Sequence, residues 1–169
     1  MPRLQHVVAW FVCASIAAIA ACETSTSVPP PTPYAATLQG SKVQPTAVTT
    51  SATGALTAVL HPTNRTLAYT VSWSALSGVP SSAHVHGPAM AGAVGAIIVD
   101  FSALPTGSTG TATMTATGSA TGTLDLKVAM TSTVSGDSLR KLLDAGRAYV
   151  DVHTAANGAG EIRGQIARP

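Results

Sequence analysis

Charge and aromatic rings are scarce in this 169-residue chain, where 9% of residues are charged and 4% are aromatic, against about a quarter charged in an ordinary globular protein. Without a dense set of Lys and Arg, it lacks the cations that a nucleic-acid backbone requires, which excludes nucleic acid as a partner. Leu, Ile, Val and Phe together number only 36 of 169. That is near the disorder boundary of about 20%, but disorder also needs a high net charge, and here the formal charge is +2. Carboxylates are too few for a glycosidase pair. No Gly-x-Ser-x-Gly elbow marks a serine nucleophile. Gly110, Gly118 and Gly122 lack the Lys that a phosphate loop uses.

An uncharged apolar run spans Val7 to Ala21, preceded by Arg3. Fifteen residues fall short of the roughly 18–20 needed to span a bilayer, so the run reads as an export signal. It ends Ile19-Ala20-Ala21-Cys22, small residues before a cysteine, as in a bacterial lipobox. The only other cysteine, Cys13, lies inside the removed segment, so Cys22 has no partner in the mature chain and is the expected lipid attachment point. Residues 22–33 then form a Ser/Thr/Pro-rich tether whose Pro-Pro-Pro-Thr-Pro favours extended polyproline II. The expected organisation is signal 1–21, lipidated tether 22–33 and one domain over 34–169. The expected location is the cell envelope, lipid-anchored and extracytoplasmic, with Glu23 favouring the outer membrane of a two-membrane envelope.

The missing apolar bulk is replaced by 23 Thr and 16 Val, with 15 Gly and 11 Pro to make turns. That mixture predicts an all-β fold. In 67–74, Leu67, Tyr69, Val71 and Trp73 alternate with small residues, giving one core-facing side. Further strands are expected over 34–40, 53–60, 83–86, 94–101, 109–117, 123–130, 148–154 and 161–167, a count that fits a Greek-key sandwich or barrel. The Thr/Ala/Gly stretch 106–123 reads as either a polar hairpin or an irregular loop. One short helix is expected after Ser135, with Asp137 in its first turn, Leu139, Leu142 and Leu143 on one face, and Gly146 as its stop.

The chemistry concentrates on histidines. His84 and His86 flank Val85, and strand spacing puts both imidazoles on one face. His153 shares the polar face of a later strand with Tyr149 and Asp151, while Glu161 and Arg163 share a face beyond it. Three imidazoles suit copper or zinc, and a carboxylate could orient a ring. The competing reading is a structural network in which Glu161 and Arg163 pair with Asp151 or a histidine, since buried charge must be paired.

The stretches 83–89, 149–154 and 160–166, the opening 34–40, and the Leu-rich helix before the tyrosine strand resemble the CHRD domain, a module named from chordin. That resemblance implies a β-sandwich of immunoglobulin-like or superoxide-dismutase-like type, without implying a settled activity. It departs from the family at 42–45 and in the expanded Thr-rich region. A more distant resemblance to copper–zinc superoxide dismutases would make His84, His86 and His153 copper ligands, but no bridging histidine or zinc-loop set appears between Gly87 and Tyr149. The expected function is an anchored binding or surface-structural module whose partner is a metal ion, another envelope protein or a polysaccharide. The alternative is a copper-dependent redox protein.

Overall fold

The computed structural model describes residues 27–169. The signal 1–21 and Cys22 lie outside the described residues. Nine strands and one helix follow in order: β1 Thr32–Gln39, β2 Thr53–His61, β3 Thr66–Ser74, β4 Pro80–Gly87, β5 Ala96–Asp100, β6 Thr109–Thr113, β7 Gly118–Asp125, α1 Gly136–Asp144, β8 Ala148–Thr154 and β9 Asn157–Ile166. The fold is all-β with one short helix, as the composition implies.

All strand pairs are antiparallel, in a single sheet ordered β5-β4-β8-β9-β1-β2-β3-β7-β6. The sheet is hinged in the middle. β9 meets β1 in the ladder only at Gln39↔Arg163, with a further bridge at Ala35↔Ala167. A Cβ on Gly164 at this seam would stand 2.5 Å from the Thr37 carbonyl oxygen, so only glycine admits that approach. Around this seam, the four-strand leaf β5-β4-β8-β9 curls over the five-strand leaf. Tyr69 of β3 meets Phe101, just beyond β5, with ring centroids 4.9 Å apart. β5 and β6 remain edges, so the result is sandwich-like and not a closed barrel.

The core lies between the leaves. Leu67, Tyr69, Val71 and Trp73 are all buried, as their alternation requires, and Val85, Val150, Val152 and Ile162 face them from the other leaf. Helix α1 closes one end, burying Leu139 and Leu143. Ser135 Oγ accepts from the Ser138 amide at 3.1 Å, the predicted N-cap, and Gly146 takes the left-handed conformation after the helix, with φ +61°. Every strand, and every buried apolar side chain among the described residues, lies within 32–166, so this segment carries a core of its own.

Several boundaries differ from the sequence reading. β1 begins two residues early and takes in Pro33, which is tolerated because β9 does not pair with that part of the strand. The Thr-rich stretch is a hairpin, with β6 and β7 paired from Thr109↔Thr123 to Thr113↔Ser119. The sequence pattern predicts one strand at 109–117 and the next at 123–130. Instead β7 runs over 118–125, because residues 114–117 make the turn. No helix among the described residues is long and apolar enough to cross a membrane.

Candidate metal centre

The site grows from the alternation of β4 and β8. Ala83, Val85, Val150 and Val152 point into the core, so His84, His86, Tyr149, Asp151 and His153 must occupy the opposite face. The register sets His84 opposite Asp151, His86 opposite Tyr149 and Ser82 opposite His153. β9 continues the row, with Arg163 opposite Asp151. The ladders shift register between Val85 and His86 and between Val152 and Thr154, irregularities beside the histidines of the kind that re-aim side chains near functional sites.

An outer sheet face is ordinarily wet, but segment 88–95 roofs this one. The Ala89 amide donates to the Arg147 carbonyl at 2.9 Å, and His86 Nδ1 lies 3.0 Å from the Gly95 carbonyl. Gln165 Nε2 donates to Ala89 O at 2.9 Å, and the Arg163 guanidinium donates to Ala93 O. Tyr149 stacks flat on His86, with the rings 1° from parallel, and Arg163 lies over its other face at 3.4 Å. Underneath, His84, His86 and Asp151 retain less than 10% of their exposure.

Three imidazoles converge on one carboxylate oxygen. Asp151 Oδ1 lies 3.0 Å from His153 Nε2, 3.2 Å from His86 Nε2 and 3.9 Å from His84 Nδ1, and His84 Nδ1 is 3.3 Å from His153 Nε2. All four donor atoms lie within 4.8 Å of one another. Donors bound to one ion at about 2.0–2.1 Å in a tetrahedron stand roughly 3.3 Å apart; the separations of 3.0, 3.2 and 3.3 Å match that value, and the wider ones, up to 4.8 Å, must draw in for all four to share an ion. His86 Nε2 and Asp151 Oδ1 are buried with no hydrogen-bond partner despite their proximity. Close donors that do not aim at one another are what a shared central cation would explain. The outer nitrogens support the same set: His86 Nδ1 and His153 Nδ1 each sit 3.0 Å from a carbonyl, of Gly95 and Gly158. Donation there fixes the tautomer and leaves Nε2 with a free lone pair.

The electrostatics of the cluster are coupled. Burial pulls the His84 pKa below its usual value against the Asp151 charge. Burial also opposes the charged forms of Asp151 and His153, but their attraction wins: Asp151 is held below the usual carboxylate range by His153 and His86, and His153 is raised by Asp151.

Asp151 was expected to stand behind the ligands or in a network, and the structure brings its oxygen among them. Its spacing of two from His153 repeats that of His84 and His86, and this was the signal available in the sequence. The network imagined through Glu161 and Arg163 is not what forms. Among the described residues Arg163 has no carboxylate within ion-pair distance; Tyr149 and the roof carbonyl satisfy it. Glu161 is fully buried and takes four donors: the Ser77 amide at 2.9 Å, Ser77 Oγ at 2.6 Å, Thr154 Oγ1 at 2.7 Å and Thr50 Oγ1 at 2.9 Å. It braces the two loops beside β9 without touching a histidine. Asp100 ends β5 and accepts from the Ser102 amide and hydroxyl, outside the four-residue cluster.

In comparison with known proteins, a family model described as CHRD domain matches residues 34–166. No curated protein and no solved structure matches the chain.

Proposed function

From the premise that this chain belongs to the CHRD domain family, we propose that it is an extracytoplasmic binding module that holds one copper or zinc ion through His84, His86, His153 and Asp151. Lipid on Cys22 anchors it to the membrane. The observation that carries the metal assignment is the convergence of three imidazole nitrogens on a buried carboxylate oxygen that has no hydrogen-bond partner. Imidazole and carboxylate together suit either metal. Four protein donors make a closed site of the structural kind, whereas catalytic sites keep a position open for water or substrate. The alternative of a superoxide-dismutase-like copper reaction needs such a position for its substrate, and four protein donors leave none on a tetrahedral ion.

Metal content and thermal unfolding of residues 23–169 test this directly. Copper or zinc at 100 times its dissociation constant adds about 2.7 kcal/mol, and His84→Ala should abolish both the bound metal and the added stability. If neither ion stabilises the wild type, and His84→Ala retains whatever metal it carries, the metal assignment fails. For the anchor, Cys22→Ser should abolish lipid labelling and release the protein from membranes; unchanged retention would count against it.

A further inference from the structure

Six of the eight basic residues in 27–169 gather where α1 closes the end of the sandwich: Arg65, Lys127, Arg140, Lys141, Arg147 and Arg168. Only Asp125, Asp137 and Asp144 accompany them, so this pole has three more cations than anions. In the rest of the described domain, Lys42 and Arg163 stand against Asp100, Asp151 and Glu161, an excess of one anion. A chain with so little charge has concentrated its positive part at one end.

That end contains a cleft of about 330 Å³ lined by Pro29, Pro30, Arg65, Arg140 and Arg168, with Asp137 and Asp144 at its wall. The size falls in the range of small-molecule sites. The guanidiniums are paired but not used up. Arg65 Nη2 lies 3.0 Å from Asp137, Arg140 Nη1 3.1 Å from Asp144 and Arg168 Nη2 2.6 Å from the other oxygen of Asp144. Each guanidinium has five N–H donors, so three of them facing two carboxylates retain donors for a further anion. Arg is suited to this because its planar fork matches two phosphate oxygens at once.

The cleft also lies where the tether enters, since Pro29 and Pro30 form part of its lining and β1 starts at Thr32. Seven residues separate Cys22 from Pro29, a span that an extended chain covers with at most about 25 Å, so the anchor and the cleft are close along the chain. We propose that this cleft and its basic rim bind the phosphate headgroups of anionic lipids in the membrane to which the chain is anchored, seating the domain on its helix pole. The orientation rests on the lipid-anchor reading; the binding chemistry does not.

The test uses residues 23–169, which contain the whole core and no acyl chain, with vesicles of phosphatidylcholine alone or mixed equally with phosphatidylglycerol. The wild type should sediment with the anionic vesicles, not the neutral ones, and lose binding as salt rises. Each basic residue near an anionic surface contributes about fivefold, so Arg65→Gln/Arg140→Gln/Arg168→Gln together should weaken binding roughly 100-fold. Asp137→Asn, which adds to the positive excess, should tighten it about fivefold; a merely misfolded pole would not do that. Lys42→Gln, away from this pole, should bind as the wild type does. Equal binding to both vesicle types, or a triple variant that binds like the wild type, overturns the proposal. Inorganic phosphate should displace the protein no better than chloride at matched ionic strength. Displacement by millimolar phosphate would reassign the cleft to a free anion and overturn the lipid assignment. A wild-type chain that carries no lipid on Cys22 in its host, yet passes the vesicle test, would refute the anchor alone.

Discussion

Glu161→Gln removes one charge from a fully buried position while keeping the shape of the side chain. The carboxylate accepts four donors, one for each lone pair, from Ser77, Thr154 and Thr50. These bonds outweigh the cost of burial and hold its pKa down from 4.5 to about 2. Each unit corresponds to about 1.4 kcal/mol, so the charged form is favoured in the fold by about 3 kcal/mol over the neutral one. Because the folded pKa is depressed, that stability is fully present above the unfolded value near 4.5 and is lost as pH falls towards 2. Gln imitates the neutral form at every pH. Urea unfolding followed by the fluorescence of Trp73, which is 2% exposed, should therefore separate wild type and variant by about 3 kcal/mol at pH 7, and the gap should nearly close at pH 2. Titration of other carboxylates is common to both proteins and cancels. A gap that is the same at both pH values, or that is absent at pH 7, would show that the four bonds do not favour the charge and would refute the reasoning.

Two further outcomes follow from the structure. His153 is raised by Asp151 and must lose its proton to bind an ion through Nε2; affinity for copper or zinc should therefore drop about tenfold per pH unit below that pKa, and a competition titration that is flat between pH 8 and pH 5.5 would contradict it. Ser135→Ala deletes the N-cap acceptor for the Ser138 amide and should cost about 1 kcal/mol, read as a lower urea midpoint; an unchanged midpoint would mean that water replaces the cap without loss.

Local patterns carried much of this fold, and pairing carried the remainder. Period-two alternation placed Leu67, Tyr69, Val71 and Trp73 in the core, and the Ser135, Asp137 and Gly146 signals placed the helix, because both depend on neighbours a few residues away. The Thr-rich stretch resisted such reading because Thr and Ala on both faces leave register undefined. It is pairing with β3, from Thr66↔Asp125 to Trp73↔Gly118, that fixes β7. The site was legible to the same depth. Spacing put His84 with His86, and His153 with Asp151, but only the β4–β8 register brings the two pairs together. The roof was not foreseen, since nothing in 88–95 states that its carbonyls would meet His86, Arg163 and Gln165. The expected partnership of Glu161 with a histidine failed for a related reason: beside Thr154, seven residues away, two of the three hydroxyls that satisfy Glu161 come from Thr50 and Ser77, 111 and 84 residues away in the chain.

The scarcity of charge is itself explained by the outward face of the larger leaf. Thr57, Thr70, Thr121 and Thr111 are in register across β2, β3, β7 and β6, forming a row of four threonines. Thr57, Thr70 and Thr111 are exposed and Thr121 is half-buried. On an antiparallel sheet with one wet face, such positions commonly carry charged or polar side chains. Threonine supplies the β-branched shape that the strand prefers together with a hydroxyl for water, so the face is hydrated without an ionic group. The few charges are thereby released for two places where threonine cannot substitute. Asp151 needs a full negative charge among three imidazoles, and the helix pole needs an excess of cations to hold an anion. Adding Lys or Glu to the threonine row should therefore alter solubility while leaving the histidine centre unchanged, because the two lie on different leaves of the sandwich.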